Sequence, residues 1–143
     1  MRRRYSFLVP RFKHAGTCFL IVAATLFSVQ TAFSAAHKRI TGEELETMRK
    51  DGSQITVVDV REPELFIKGH VPGAINIDYY DNAETSILKL SPKDRIVFIC
   101  HGGPMGDELS EILTKNGYTN VYNVKGGMRK WNGPIEKGAK AGK

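Results

Sequence analysis

Cys100 closes the apolar run Arg95-Ile-Val-Phe-Ile-Cys100 and is followed at once by His101-Gly102-Gly103-Pro104-Met105-Gly106. The next segment, Asp107-Glu-Leu-Ser-Glu-Ile-Leu-Thr-Lys115, has the spacing of an amphipathic helix. A thiol between the end of a buried strand and the start of a helix sits where backbone N–H groups and the helix dipole favour negative charge. Such surroundings make the thiolate, the reactive species, available. A lone cysteine can equally be an inert buried one, and the Gly-rich loop is what tips the reading towards chemistry. Glycines at 102, 103 and 106 permit tight curvature. Curved backbone can turn several N–H groups inward as an anion-holding nest.

The other cysteine, Cys18, lies in a segment with the order of a secretory signal. Arg2, Arg3, Arg4, Arg11 and Lys13 come first, then the apolar run Cys18-Phe-Leu-Ile-Val-Ala-Ala-Thr-Leu-Phe27, then small residues around Ser34, Ala35 and Ala36. Cleavage after Ser34 or Ala36 is expected, because cleavage after Ala35 would put Phe33 three residues back. The alternative is an uncleaved membrane anchor, for which the run is short. Nothing resembling a lipobox surrounds Cys18. Removal of 36 of the 143 residues leaves 107, enough for one small domain. Five of the 21 basic residues and none of the 15 acidic ones leave with the signal, so the remainder carries a net charge of about +1. The basic character of the whole chain therefore belongs to its leader, and no nucleic-acid footprint remains. The expected organisation is a signal peptide over 1–36, a domain over 37–136 and a frayed basic tail over 137–143. A periplasmic or secreted location follows. A single exported cysteine cannot form an internal disulfide, and in an oxidising compartment it is a liability unless buried or used.

The elements that would position Cys100 follow from local pattern. Thr41-Gly-Glu-Glu44 has the form of a capping box, with Leu45 and Met48 as the apolar stripe of a helix ended by Asp51-Gly52. Ile55-Thr-Val-Val-Asp-Val60 is nearly all apolar and β-branched, as in a strand covered on both faces. A short helix over 63–68 stops at Gly69. Further strands are expected over 74–77, 96–100 and 120–124, and further helices over 81–90 and 107–115, the latter ending before Gly117. A last helical turn begins over 128–131. Strands alternating with helices predict an α/β fold, a parallel sheet with helices on both faces. Ligands in such sheets bind beyond the carboxyl ends of the strands, where Cys100 stands.

Four segments in register resemble the rhodanese-like family of sulfurtransferases. The loop Cys100-His-Gly-Gly-Pro-Met-Gly106 is similar to its active-site loop, with Gly103 at the glycine position. Val58-Asp-Val-Arg-Glu-Pro-Glu-Leu-Phe66 is similar to its early strand and turn. Gly69-His-Val-Pro-Gly-Ala-Ile-Asn-Ile77 looks like its signature segment. Gly117-Tyr-Thr-Asn-Val-Tyr122 with Gly126-Gly-Met-Arg-Lys-Trp131 looks like its closing element. With the leader, the chain is similar to small periplasmic single-domain rhodaneses. The resemblance implies a single domain built on a central, mostly parallel five-stranded sheet. It also implies a sulfur relay through a Cys100 persulfide, from a donor such as thiosulfate, polysulfide or a persulfide to a thiol, cyanide or a sulfur-accepting protein. His101, Gly102, Gly103, Met105 and Gly106 would form the anion- and sulfur-binding loop. Asp59 and Arg61 would support it as an ion pair. No cofactor is implied, and the histidines and cysteine show no metal-ligand spacing.

The loop departs from the family at its end. Many members carry Arg where this chain has Met105-Gly106, Pro104 offers no N–H, and Asp107 and Glu108 would repel a dianion. A dianionic donor such as thiosulfate is thus expected to bind weakly. His70 is expected in a turn, and Tyr79, Tyr80 and Trp131 in the core or pocket wall. His101 could add charge or relay a proton, or could point outward. A cysteine phosphatase needs Arg at the sixth residue after the cysteine, and that residue is Gly106. A thiol–disulfide oxidoreductase lacks its Cys-x-x-Cys. A non-catalytic binding module or a persulfide carrier remains as the rival to an enzyme.

Overall fold

The structure, a computed structural model, describes residues 36–138 other than residue 53. The signal segment with Cys18, up to residue 35, and the end of the tail, 139–143, lie outside the described residues. Ten elements follow in order: β1 (Lys38–Ile40), α1 (Gly42–Lys50), β2 (Ile55–Asp59), α2 (Pro63–Lys68), β3 (Ile75–Asn76), α3 (Ala83–Ile87), β4 (Arg95–Ile99), α4 (Pro104–Lys115), β5 (Val121–Val124) and a 3₁₀ turn, Gly127–Arg129. The capping box of α1 is complete: Thr41 Oγ1 accepts from the Glu44 N–H, and Glu44 accepts from the Thr41 N–H at 2.6 Å. α2 and α4 both open on proline at their first position, where a missing N–H costs nothing and the fixed φ is already helical.

All five strands run parallel, in the order β1-β5-β4-β2-β3. β4 is the middle strand, and its apolar run alternates between the two layers. Ile96, Phe98 and Cys100 join Val58, Ala83, Ile87, Leu109 and Leu113 in a core beneath α3 and α4. Val97 and Ile99 join Val57, Leu45, Phe66 and Val124 in a second core beneath α1 and α2. The expected fold class is thereby found, a parallel α/β sheet covered on both faces. Among the described residues no helix is long and apolar enough to cross a membrane.

Several boundaries differ from the sequence expectation. β1 was not singled out: it is three residues long, mostly exposed and rich in charge, as edge strands are. The helix expected over 81–90 shrinks to α3. Asn82 takes a left-handed φ of 51° before it, and the bonds after Ile87 tighten to Lys89 N–H to Ser86 and Leu90 N–H to Ile87. The freed carbonyls of Leu88 and Leu90 accept from the Tyr118 hydroxyl. α4 starts three residues earlier than expected, inside the Gly-rich loop, because Pro104 serves as its first residue. β4 stops at Ile99, which leaves Cys100 just past the strand.

Candidate active site

Cys100 leaves the middle strand with its side chain on the α4 side and is fully buried, at 0% exposure. The Gly103 N–H donates to Cys100 Sγ at 2.9 Å. Gly103 can aim its amide there because its φ of +124° lies where side chains rarely go. The Gly103 carbonyl is held in turn by the Asn123 side-chain amide at 2.8 Å and by the Asp107 N–H. Behind the cysteine, the 3₁₀ turn anchors the loop: Met128 N–H donates to the Cys100 carbonyl at 2.7 Å and Arg129 N–H to that of His101. Gly127, at φ +52°, lies so close that a Cβ there would overlap the Cys100 carbonyl oxygen. Gly106 is buried against the Asn123 carboxamide, which a Cβ would likewise strike.

The remaining expected residues divide by what they touch. Asp59 and Arg61 form a buried ion pair, with Arg61 Nη2 to Asp59 Oδ2 at 2.6 Å and a further bond to the Gly69 carbonyl. Asn76 bonds the carbonyls of both. The pair fixes the β2–α2 loop beside Cys100, and none of its bonds goes to the thiol. His101 turns outward to Glu62, Nε2 to Oε2 at 2.8 Å. The Glu62 carboxylate is held below its usual range by its own backbone N–H, with His101 adding to this against desolvation. Met105 packs on the Cys100 core with Ile77 and Tyr79. His70 corrects the expectation of a turn: it is buried in an isolated antiparallel bridge to Glu136, its ring stacked on Phe66 at 3.7 Å. Trp131 packs in the opposite core. Tyr80 corrects the expectation of a core or wall residue: it is 71% exposed, edge-on to Tyr79.

The two acids expected to repel an anion are both engaged. Asp107 accepts from Arg39 through Nε at 2.9 Å and Nη2 at 2.8 Å, from His37 Nε2 at 2.9 Å and from Asn123. Burial alone would lift its pKa, but these hydrogen bonds and the Arg39 charge hold it below the usual carboxylate range. Glu108 accepts from the Tyr79 hydroxyl at 2.6 Å, and that bond, with burial second, raises the tyrosine's own pKa. Arg39 thus compensates the charge of Asp107, while Glu108, bonded to a neutral hydroxyl, keeps its own.

A family model described as Rhodanese-like domain matches residues 41–134. The chain belongs to the rhodanese-like family. Among similar proteins, YrkF of Bacillus subtilis, provisionally named a sulfur carrier, is 35% identical over 82 residues. That match spans 57% of this chain and 44% of YrkF, so this chain corresponds to less than half of that relative. GlpE of Pseudomonas aeruginosa, named a thiosulfate sulfurtransferase, is 30% identical over 98 residues, 68% of this chain and 86% of GlpE. A rhodanese-like domain protein of Staphylococcus aureus superposes with a TM-score of 0.63 at 29% identity, covering 70% of this chain and 97% of its own.

Within this rhodanese-like domain, the fold adds residues to the loop that the sequence did not single out. A groove of about 270 Å³ lies against the loop, lined by Gly102, Gly103, Pro104 and Asp107 on one side and by Arg39, Asn123, Lys125 and Gly126 on the other. The Arg129 guanidinium stands beside Gly102, 3.7 Å from where a Cβ would be. Asn123 did carry a signal, being the polar residue in the apolar strand Val121-Tyr-Asn-Val124. Arg39 and Lys125 carried none, since each is an ordinary surface cation until β1 and β5 pair.

Proposed function

We propose that this protein is an exported sulfurtransferase that passes sulfane sulfur through a persulfide on Cys100. The observation that carries the reading is the Gly103 N–H aimed at Cys100 Sγ, at the carboxyl end of the middle strand. A fixed amide donor stabilises a charged sulfur without reorganising, as an oxyanion hole does for oxygen. The thiolate attacks the outer sulfur of the donor, the donor's S–S bond breaks, and its remainder leaves with the electron pair. An acceptor thiolate or cyanide then attacks the outer sulfur of Cys100–S–S⁻ and regenerates the thiolate. Asp59, Arg61 and the glycines at 103, 106 and 127 act by positioning the loop. Export rests on the order of charged, apolar and small residues over 1–36.

A persulfide carrier serving a partner protein is the second reading, favoured by the enclosure of Cys100 and by the name of YrkF. An enclosed sulfur keeps a persulfide from water and stray thiols, and its turnover then waits on loop opening. Intact-mass measurement after exposure to thiosulfate, polysulfide or glutathione persulfide tests both readings. The wild type is expected to gain the mass of one sulfur, and Cys100→Ser none, with the fold kept because the hydroxyl is near in size but a far poorer nucleophile. Rapid sulfur release to cyanide supports the enzyme, and a stable adduct supports the carrier. A wild type that gains no sulfur from any of the three donors overturns both.

A further inference from the structure

We infer that Asn123 is a positioning residue for the sulfur relay: it grips the Gly103 carbonyl from β5 and so keeps the Gly103 N–H aimed at the charged sulfur on Cys100. The inference rests on Cys100 as the sulfur carrier and names a side chain that controls how readily that sulfur holds its charge.

Asn123 is 1% exposed, in register with Phe98 of β4 on one side and Arg39 of β1 on the other. Its Nδ2 amide is committed twice, to the Gly103 carbonyl at 2.8 Å and to Asp107 Oδ1 at 2.8 Å. Two acceptors on one side of the carboxamide settle which of its ends is the donor. The other end, Oδ1, is turned towards Gly106 and is buried without a hydrogen-bond partner among the described residues. A buried carbonyl with no donor costs stability. An apolar side chain, as elsewhere in this strand, would escape that cost. What the carboxamide supplies, and an apolar residue could not, is the hold on Gly103.

Gly103 needs that hold. Its N–H, which donates to Cys100 Sγ at 2.9 Å, and its carbonyl flank one Cα at φ +124° and ψ −49°. Glycine has the widest backbone freedom of any residue, so rotation at this Cα swings the N–H off the sulfur unless the carbonyl is pinned. The Asp107 N–H pins it within α4 at 3.1 Å, and Pro104 between them adds no donor. Asn123 pins it instead to the sheet from which Cys100 emerges. Asp107, held by Arg39 and His37, fixes Asn123 from behind. A donor already aimed stabilises a thiolate or a persulfide anion without having to turn towards it. Loss of the Asn123 amide frees that donor, and the sulfur then keeps its proton to higher pH.

The test compares the full chain with its Asn123→Val variant. Valine suits a strand, and no acceptor is orphaned, because the Gly103 carbonyl keeps the Asp107 N–H and Asp107 keeps Arg39 and His37. The other charged groups about the loop, Asp59 with Arg61, Glu62 with His101, and Arg129, are common to both proteins. Ultraviolet absorbance of the Cys100 thiolate is followed against pH, with Cys100→Ser as the blank that subtracts Cys18 and the tyrosines. The midpoint is expected to rise by roughly half to one pH unit in Asn123→Val, a three- to tenfold loss of thiolate below it. The Gly103 amide proton, shifted downfield by its bond to sulfur, is expected to move upfield in the variant. Sulfur gain from glutathione persulfide at neutral pH is expected to slow roughly two- to threefold, since the more basic thiolate that remains is a better nucleophile. A midpoint that does not rise, or that rises with the Gly103 resonance unmoved, overturns the inference. So does a variant that loses stability in denaturant but keeps the wild-type pH profile, the pattern of a purely structural residue. Should Asn123→Val fail to fold, Gly106→Ala is read by the same criteria, since its methyl displaces the carboxamide while suiting the helix. A wild type that takes up no sulfur overturns the relay, and the thiolate midpoint still decides whether Asn123 governs the charge on Cys100.

Discussion

Gly127 constrains the position of Cys100 more directly than any side chain does. It combines a φ of +52° with contact against the Cys100 carbonyl, and its turn delivers the two amides that hold the carbonyls of residues 100 and 101. Gly127→Ala would add both the cost of a side chain in the left-handed region and that of a methyl in occupied space. The expected loss is roughly 2–4 kcal/mol of stability, with slower sulfur gain at Cys100 in whatever protein folds. Denaturant midpoints and intact mass measure the two effects, and a variant of wild-type stability would show that the loop does not depend on this approach. The cysteine and the glycines 102, 103 and 106 were legible in the sequence because they are neighbours along the chain. Asn123 and Asp107 were not legible as partners, since the bond between them spans 16 positions, and that from Arg39 to Asp107 spans 68. Local pattern carries no record of such pairing.

At the scale of elements, Asp107 joins the start of α4 to β1. Its carboxylate collects Arg39, His37 and Asn123, so one side chain ties the edge strand, the neighbouring strand β5 and the reactive loop together. Its folded pKa lies below the ordinary value of 3.8 that it regains on unfolding. The stabilisation it gives is therefore complete above about pH 4 and is lost as pH falls through the folded pKa. Asp107→Asn is expected to cost roughly 1–3 kcal/mol at pH 7, with the difference from wild type closing below pH 4. Urea unfolding at pH 7 and pH 3 checks this, and a gap that persists unchanged at pH 3 would exclude the carboxylate as its source. Helices and strands with strong local signals were readable beforehand, notably α1 from its capping box, α2 from its proline and glycine, and β4 from its apolar run. β1 and the first turn of α4 escaped notice. The first has no apolar alternation, and the second is written in the residues of a turn.

At the scale of the whole molecule, the described fold begins where the proposed leader ends. β1 starts at Lys38, and its register, Lys38 opposite Tyr122 through Ile40 opposite Val124, uses nothing before that residue. Cleavage after Ser34 or Ala36 would leave every strand whole and would keep His37 on Asp107. We propose that the chain is cut there and released. A leader with five cations before a short apolar run directs export, and that run is short for a stable span. Expressed from its full sequence in a Gram-negative host, the protein is expected in the periplasmic fraction with Ala35 or His37 as its first residue. N-terminal sequencing together with osmotic-shock fractionation decides the matter. Recovery in the membrane fraction with residues 1–30 still attached would make the apolar run an anchor.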